Sequence, residues 1–230
     1  YKGYDVNYVR NYTDVDDKII INARTVGVDP IKYAEKFINK TDKELDELNI
    51  ERPTFQVRAT ENINDMIVFI QTLIDKGFAY VTENNNVYFD ISKFKDYGKL
   101  SNRNIEETVS GERINVADDK KRPEDFALWK SADDAHLMKW DSPWSVGYPG
   151  WHIECSVISL KYLGEYLDIH CGGVDNIFPH HTNEIAQTEC YVGHKWCNYW
   201  FHPEHLNDAT GKMSKSKGEF LTVSLKKKKG

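Results

Sequence analysis

The chain has 230 residues, about one and a half typical domains, with 40% hydrophobic residues that include six Trp, thirteen Tyr and ten Phe. That aromatic content excludes a mainly disordered chain, because burying such side chains offsets the entropy of ordering. Thirty basic against 36 acidic residues leave a net charge of −6, with a pI near 5.8 and a mean hydropathy of −0.62. A general basic footprint for nucleic acid is therefore absent, and no apolar run approaches the ~20 residues that span a bilayer. The chain opens at Tyr1 with neither an initiator Met nor a charged-then-apolar leader, so it reads as an internal piece of something longer. Its four cysteines, without a CxxC pair or a secretory signal, read as reduced thiols of a cytoplasmic protein. The Asn11-Tyr12-Thr13 sequon is then accidental.

Asp5 to Arg10 alternates apolar and polar residues and reads as a strand. A helix follows over Asp16 to Val26 and stops at Gly27; Asp29-Pro30 then opens a second, with Ile31, Tyr33, Ala34, Phe37 and Ile38 on one side. A third helix begins after Thr60 and ends at Gly77. Phe78–Val81 and Val87–Ile91, separated by a polar turn, read as a β-hairpin. From Asp96 to Pro123 the chain is polar and reads as an irregular insertion, with order returning at Phe126 to Lys130. Trp151 to Leu163 is helical, closed by Gly164. Tyr166 to His170 is a short strand, a helix carries His180 to Cys190, and Asn198 to His202 is strand-like. This alternation predicts an α/β fold with a parallel sheet interrupted by an insertion. The boundaries fall at residues 1–77 and 148–206 for the two halves of the sheet domain, 78–147 for the insertion and 207–230 for a terminal loop segment.

Three constellations carry chemistry. Lys212-Met213-Ser214-Lys215-Ser216, flanked by Gly211 and Gly218, sets two lysines and two hydroxyls in a loop able to close over phosphates, although composition alone favours a solvated basic loop. Cys155, His180 and Glu184 combine three competent metal donors, the last two four apart on one helix face, with a buried thiol and a surface His–Glu pair as the plain alternative. Gly172-Gly173 after a strand lets backbone approach a nucleotide, with Asp175 free to accept from ribose hydroxyls.

The loop sequence KMSKS is the signature of class I aminoacyl-tRNA synthetases, and further stretches sharpen the likeness. Tyr8-Val9-Arg10-Asn11 continues into Thr13 to Ile20, followed by Asp125 to Lys130. Pro149-Gly150-Trp151-His152-Ile153-Glu154-Cys155-Ser156, Asp168-Ile169-His170 and Phe178-Pro179-His180-His181 with Asn183 to Gln187 complete the series. Together they resemble the cysteinyl-tRNA synthetase family over nearly the whole chain. The resemblance implies a Rossmann-like parallel sheet with a connective insertion.

It also implies one zinc ion per chain, with Cys155, His180 and Glu184 as three of its four protein ligands and an upstream cysteine, before Tyr1, as the fourth. Zinc converts a thiol of ordinary pKa ~8.5 to the thiolate and prefers soft sulfur to a hydroxyl, so coordination separates cysteine from serine better than an apolar pocket's ~10². Trp151 and His170 would wall the amino-acid pocket, Thr13 would sit nearby, and His181 would stand beside the metal. Gly172, Gly173, Asp175, Lys212 and Lys215 would face ATP, with Lys215 and then Lys212 meeting the pyrophosphate charge. ATP with magnesium, L-cysteine and tRNA are the implied substrates, and a monomer is favoured. An HIGH-type motif before Tyr1 and a following anticodon-binding region are the family parts this chain lacks. Thr182 replaces a usual acid, and the Lys226–Lys229 run reads as a solvated helix start. The alternatives are a ligase joining cysteine to an amino sugar and a non-catalytic zinc-stabilised remnant.

Overall fold

The computed structural model describes residues 2–102, 119–208, 211–212 and 222–228. Strand β1, Val9–Tyr12, pairs in parallel with β2, Phe55–Arg58, in the register Val9 with Phe55 and Tyr12 with Arg58. The strand thus begins four residues later than the alternation over Asp5 to Arg10 suggests: Asp5 to Tyr8 are exposed, and backbone pairing, rather than pattern, sets where it starts. Between these strands run α1, Asp17–Val26, and α2, Pro30–Glu47. Both carry the caps the sequence announces. Asp16 accepts from the Lys18 backbone N–H and Asp29 from those of Ile31 and Lys32, and Gly27 ends α1 at φ 69°, where a left-handed residue is needed. On α2, Ala34 and Ile38 are buried, but Ile31 and Phe37 are 53% and 46% exposed, so the apolar face is narrower than predicted. Asp14, itself buried, accepts from the Thr60 N–H at 2.9 Å and the Thr60 hydroxyl at 2.6 Å, which ties the end of β1 to the end of β2.

Helix α3, Ile63–Asp75, leads into an antiparallel sheet of β3 (Ala79–Val81), β4 (Val87–Phe89), β5 (Phe126–Ser131) and β6 (Gly147–Pro149), in that order. Buried Asp125 accepts from the Tyr80 hydroxyl at 2.6 Å and the Ile91 N–H at 3.1 Å, fixing the start of β5. The polar insertion lies between β4 and β5, and residues 103–118 of it fall outside the described residues.

One residue after β6 the chain enters α4, Trp151–Leu163. Strand β7, Leu167–Cys171, then pairs in parallel with β8, Cys197–Phe201, and α5, Thr182–Val192, crosses between them. The α/β expectation holds, with parallel pairing at β1–β2 and β7–β8 and an antiparallel sheet between them in sequence. Residues 207–208 (β9) and 211–212 (β10) form a short antiparallel ladder. Helix α6, Val223–Lys228, contains most of the lysine run. It contacts α2, with Ser224 donating to Glu44 at 2.6 Å and the exposed Lys227 pairing with Glu47 at 2.7 Å, so the described part of the run lies in the last turn of a helix held to α2.

The principal core joins Met66, Ile70 and Leu73 of α3, Phe89, Leu128 and Trp129 of the antiparallel sheet, Ile153 and Val157 of α4, and Ala186 of α5. Among the described residues no helix is long and apolar enough to cross a membrane.

Gly150 sits where sheet, core and α4 meet. Its N–H donates to the Leu128 carbonyl at 2.9 Å, and a Cβ there would run into the Ala127 carbonyl, which is rigid backbone. Gly150→Ala is expected to cost about 1–3 kcal/mol through overpacking. Thermal melts should then show a drop of roughly 2–12 °C, on a scale of roughly 2–4 °C per kcal/mol for a chain of this size.

Candidate functional site

The first turn of α4 and the turn leading into α5 lie side by side. Ser156 of α4 accepts from Gln187 Nε2 and from the Thr188 hydroxyl of α5, each at 2.7 Å, and all three side chains are buried. Gln187 also donates to the His152 carbonyl. This polar zipper brings Trp151, His152 and Cys155 against His180, His181 and Glu184. His180 and His181 close a tight turn over Ile177–His181, just before α5 rather than on the predicted helix, and Glu184 lies in the first turn of α5; the Thr182 hydroxyl donates to the Ile177 carbonyl at 2.7 Å. That bond gives Thr182 a local task in place of the acid the resemblance expects.

Glu184, fully buried, is the centre of the cluster. Its Oε1 lies 2.9 Å from His180 Nε2 and its Oε2 lies 2.9 Å from His170 Nε2, and neither oxygen has a hydrogen bond of good geometry. Cys155 Sγ is 3.6 Å from His180 Nε2, and the Asn11 side-chain amide of β1 donates to it at 3.7 Å. The donor atoms of Cys155, His180 and Glu184 all fall within 4.8 Å of one another, as do those of His170, His181 and Glu184. A thiol and an imidazole in the first group, and two imidazoles in the second, share one carboxylate that lacks well-aligned hydrogen bonds, and such a donor set is what a divalent cation would satisfy. The residues fit such an ion. Cys171, Cys190 and Cys197 belong to neither cluster.

Trp151 is half exposed and stacks on His180, with ring centroids 3.9 Å apart and planes 22° from parallel. His170 reaches Glu184 from β7, in edge contact with Trp200. Gly172 passes so close to His181 that a Cβ would lie 2.6 Å from its ring, while Gly173 leaves room for the Asp175 carboxylate, which is exposed beside it. Exposed Thr13 lies one residue past the end of β1, next to buried Glu154. The backbone of Lys212 pairs with Asn207, and Lys215 lies outside the described residues.

Three polar residues of the site have no role in the sequence reading. His152 places its Nδ1 2.8 Å from His180 Nδ1, His202 places its Nε2 2.8 Å from His181 Nδ1, and Glu154 is buried beneath Thr13. For His152 the signal was present, since it lies three residues before Cys155 on one helix face.

Burial pushes the Cys155 thiol well above its ordinary range, and the Glu184 and Glu154 charges add to this. Burial also raises Glu154, against its bond from Thr13. For Glu184 burial acts in the same sense, but the imidazoles of His170 and His180 outweigh it and hold the carboxyl below the ordinary range. Burial, reinforced by His180, holds His152 down to about 3; burial likewise holds His181 to about 3 against the pull of Glu184.

The family described as tRNA synthetases class I (C) catalytic domain matches residues 1–229. The chain is 51% identical over 223 residues to the cysteine–tRNA ligase of Caldicellulosiruptor saccharolyticus, covering 97% of this chain and 48% of that protein. It is 52% identical to the cysteine–tRNA ligase of Pyrococcus horikoshii, covering 97% and 46%, and 51% identical to that of Clostridioides difficile, covering 97% and 48%. The chain spans about half the length of the curated relatives it matches.

The two depressed imidazoles set an acid response for the metal-free protein. Below their ordinary value of 6.5 the unfolded chain binds a proton at each, whereas the folded chain stays neutral until about 3. Their contribution is therefore complete above pH 6.5 and is lost as pH falls toward 3, with a slope that approaches two protons. Glu184, held below its usual 4.5, adds its own loss only under that value. Chemical denaturation between pH 7.5 and 5 should show this decline, and His181→Asn should reduce the slope by about one proton.

Proposed function

From its membership of the class I tRNA synthetase (C) catalytic-domain family, we propose that this chain forms the cysteine-activating part of a cysteine–tRNA ligase. The convergence of Cys155, His180 and Glu184 beneath the exposed Trp151 face is the observation that carries this reading. The relatives' shared name supports tRNA, rather than an amino sugar, as the acceptor.

Cys155, His180 and Glu184 would hold a zinc ion. When bound, that ion supplies a soft electrophilic position that favours a cysteine thiolate over a serine hydroxyl. Trp151 offers its open face to the amino acid, and His170 and Thr13 bound the same space, so the substrate carboxylate is oriented rather than chemically altered by the protein. ATP, with its magnesium, enters along Gly172-Gly173, whose lack of side chains leaves room for His181 and Asp175 to pack beside them, and Asp175 accepts from the ribose hydroxyls. The substrate carboxylate then attacks the α-phosphorus in line, forming cysteinyl-adenylate as the bond to pyrophosphate breaks. Lys215, supported by Lys212, neutralises charge growing on the departing pyrophosphate. The terminal ribose hydroxyl of tRNA subsequently attacks the adenylate carbonyl and releases AMP. The antiparallel sheet of β3 to β6 is the connective insertion between the halves of the catalytic domain, and the cytoplasm is the setting for such translation chemistry.

Pyrophosphate exchange into ATP tests the reading on the intact protein. Exchange should depend on cysteine and not on serine, disappear on zinc chelation, and fall by about 10²–10³ in Lys215→Ala, the scale of losing one charge-stabilising donor. Exchange that proceeds equally with serine would overturn the proposed basis of selection.

A further inference from the structure

His152 is a half-buried residue beside the candidate metal position that is not itself among the donors. Its Nδ1 stands 2.8 Å from His180 Nδ1, on the side of the His180 ring opposite Nε2, which faces Glu184 at 2.9 Å and Cys155 at 3.6 Å. A neutral imidazole carries one N–H and one lone pair, so two ring nitrogens at this distance need one of each. If a metal takes the lone pair of His180 Nε2, the His180 proton must sit on Nδ1. The atom facing that proton is His152 Nδ1, which must then accept.

We propose that His152 is the positioning residue of the metal centre: its Nδ1 accepts the His180 Nδ1–H and so fixes both the tautomer and the aim of His180 Nε2. This rests on the zinc reading given above. The surroundings hold His152 to that task. Gln187 of α5 grips its backbone carbonyl, and Phe126 meets its ring edge-on at 5.6 Å and 85°. Trp151, the preceding residue, covers the face of the His180 ring, so two consecutive residues of α4 define its plane and its rotation.

The chemistry also explains why the acceptor is an imidazole. Metal-bound histidines commonly donate to a carboxylate, a carbonyl or water. Here the donor set already includes a thiol that must ionise and the carboxylate of Glu184. A carboxylate behind His180 would place a third negative charge in a buried site, whereas a neutral ring accepts the bond without adding charge.

Zinc affinity of the intact protein, measured by chelator competition after stripping, separates the possibilities, with the absorption spectrum of bound cobalt(II) as a second readout. In His152→Asn the amide oxygen takes the place of Nδ1 and still accepts; His152→Phe keeps the packing on Phe126 but has no acceptor. The expected result is a 10–100-fold loss of zinc affinity and an altered cobalt spectrum in the Phe variant. The Asn variant should remain within a few-fold of the unaltered protein. Equal affinity in the Phe variant and the unaltered protein, or equal loss in both variants, would overturn the proposal. Should the Phe variant not fold, long-range proton–nitrogen NMR on the zinc-loaded unaltered protein decides the matter: a proton on His180 Nδ1 supports the proposal, and a bare Nδ1 defeats it. Absence of zinc binding by the unaltered protein would instead defeat the metal reading and, with it, this inference.

Discussion

The structure around the site depends on one buried carboxylate. Glu184 is cut off from solvent, and an isolated charge so placed would cost several kcal/mol. The fold answers by bringing imidazoles to it from separate elements: His170 from β7, and His180 and His181 from the turn before α5. The position of Glu184 in the first turn of α5 also sets its charge near the positive end of the helix dipole. A strand, a turn and a helix are thereby tied through one side chain, and Cys155 reaches the same point from α4.

The neutral interactions next to this charge make it tolerable. Gln187 and Thr188 of α5 both donate to Ser156 of α4, so the two helices meet through hydrogen bonds where a purely apolar contact would leave their registers free to slide. The aromatic rings of Trp151, Trp196 and Trp200 then pack around the imidazoles, excluding water and limiting ring rotation. The site is thus preorganised by its surroundings, which suits chemistry that asks mainly for placement.

Much of this was legible in the sequence, for identifiable reasons. Helix limits followed from Asp16, Gly27, Asp29 and Gly164, because caps act within a few residues of the chain they terminate. The convergence of Cys155, His180 and Glu184 could be anticipated from residue type and spacing. What local pattern missed depends on distant partners. Strand β2 was not foreseen, and β1 was placed too early, because a parallel ladder is decided by pairing across 46 residues. Ile31 and Phe37 share the apolar side of α2 with Ala34 and Ile38, yet about half of each stays exposed, because the sequence does not say which part of that side a neighbour covers. The links from His152 to His180 and from His202 to His181 join residues 28 and 21 positions apart, beyond the reach of helical periodicity.

The passage from β6 to α4 has a mechanical meaning. Pro149 ends the strand, Trp151 begins the helix, and the one residue between them is pinned to Leu128 of the neighbouring strand β5. There is no slack in this joint and no room to insert any. A load applied to the antiparallel sheet is therefore delivered to the first turn of α4, the turn that carries Trp151, His152 and Cys155. The sheet behaves as a rigid handle on one wall of the site rather than as an appendage swinging beside it.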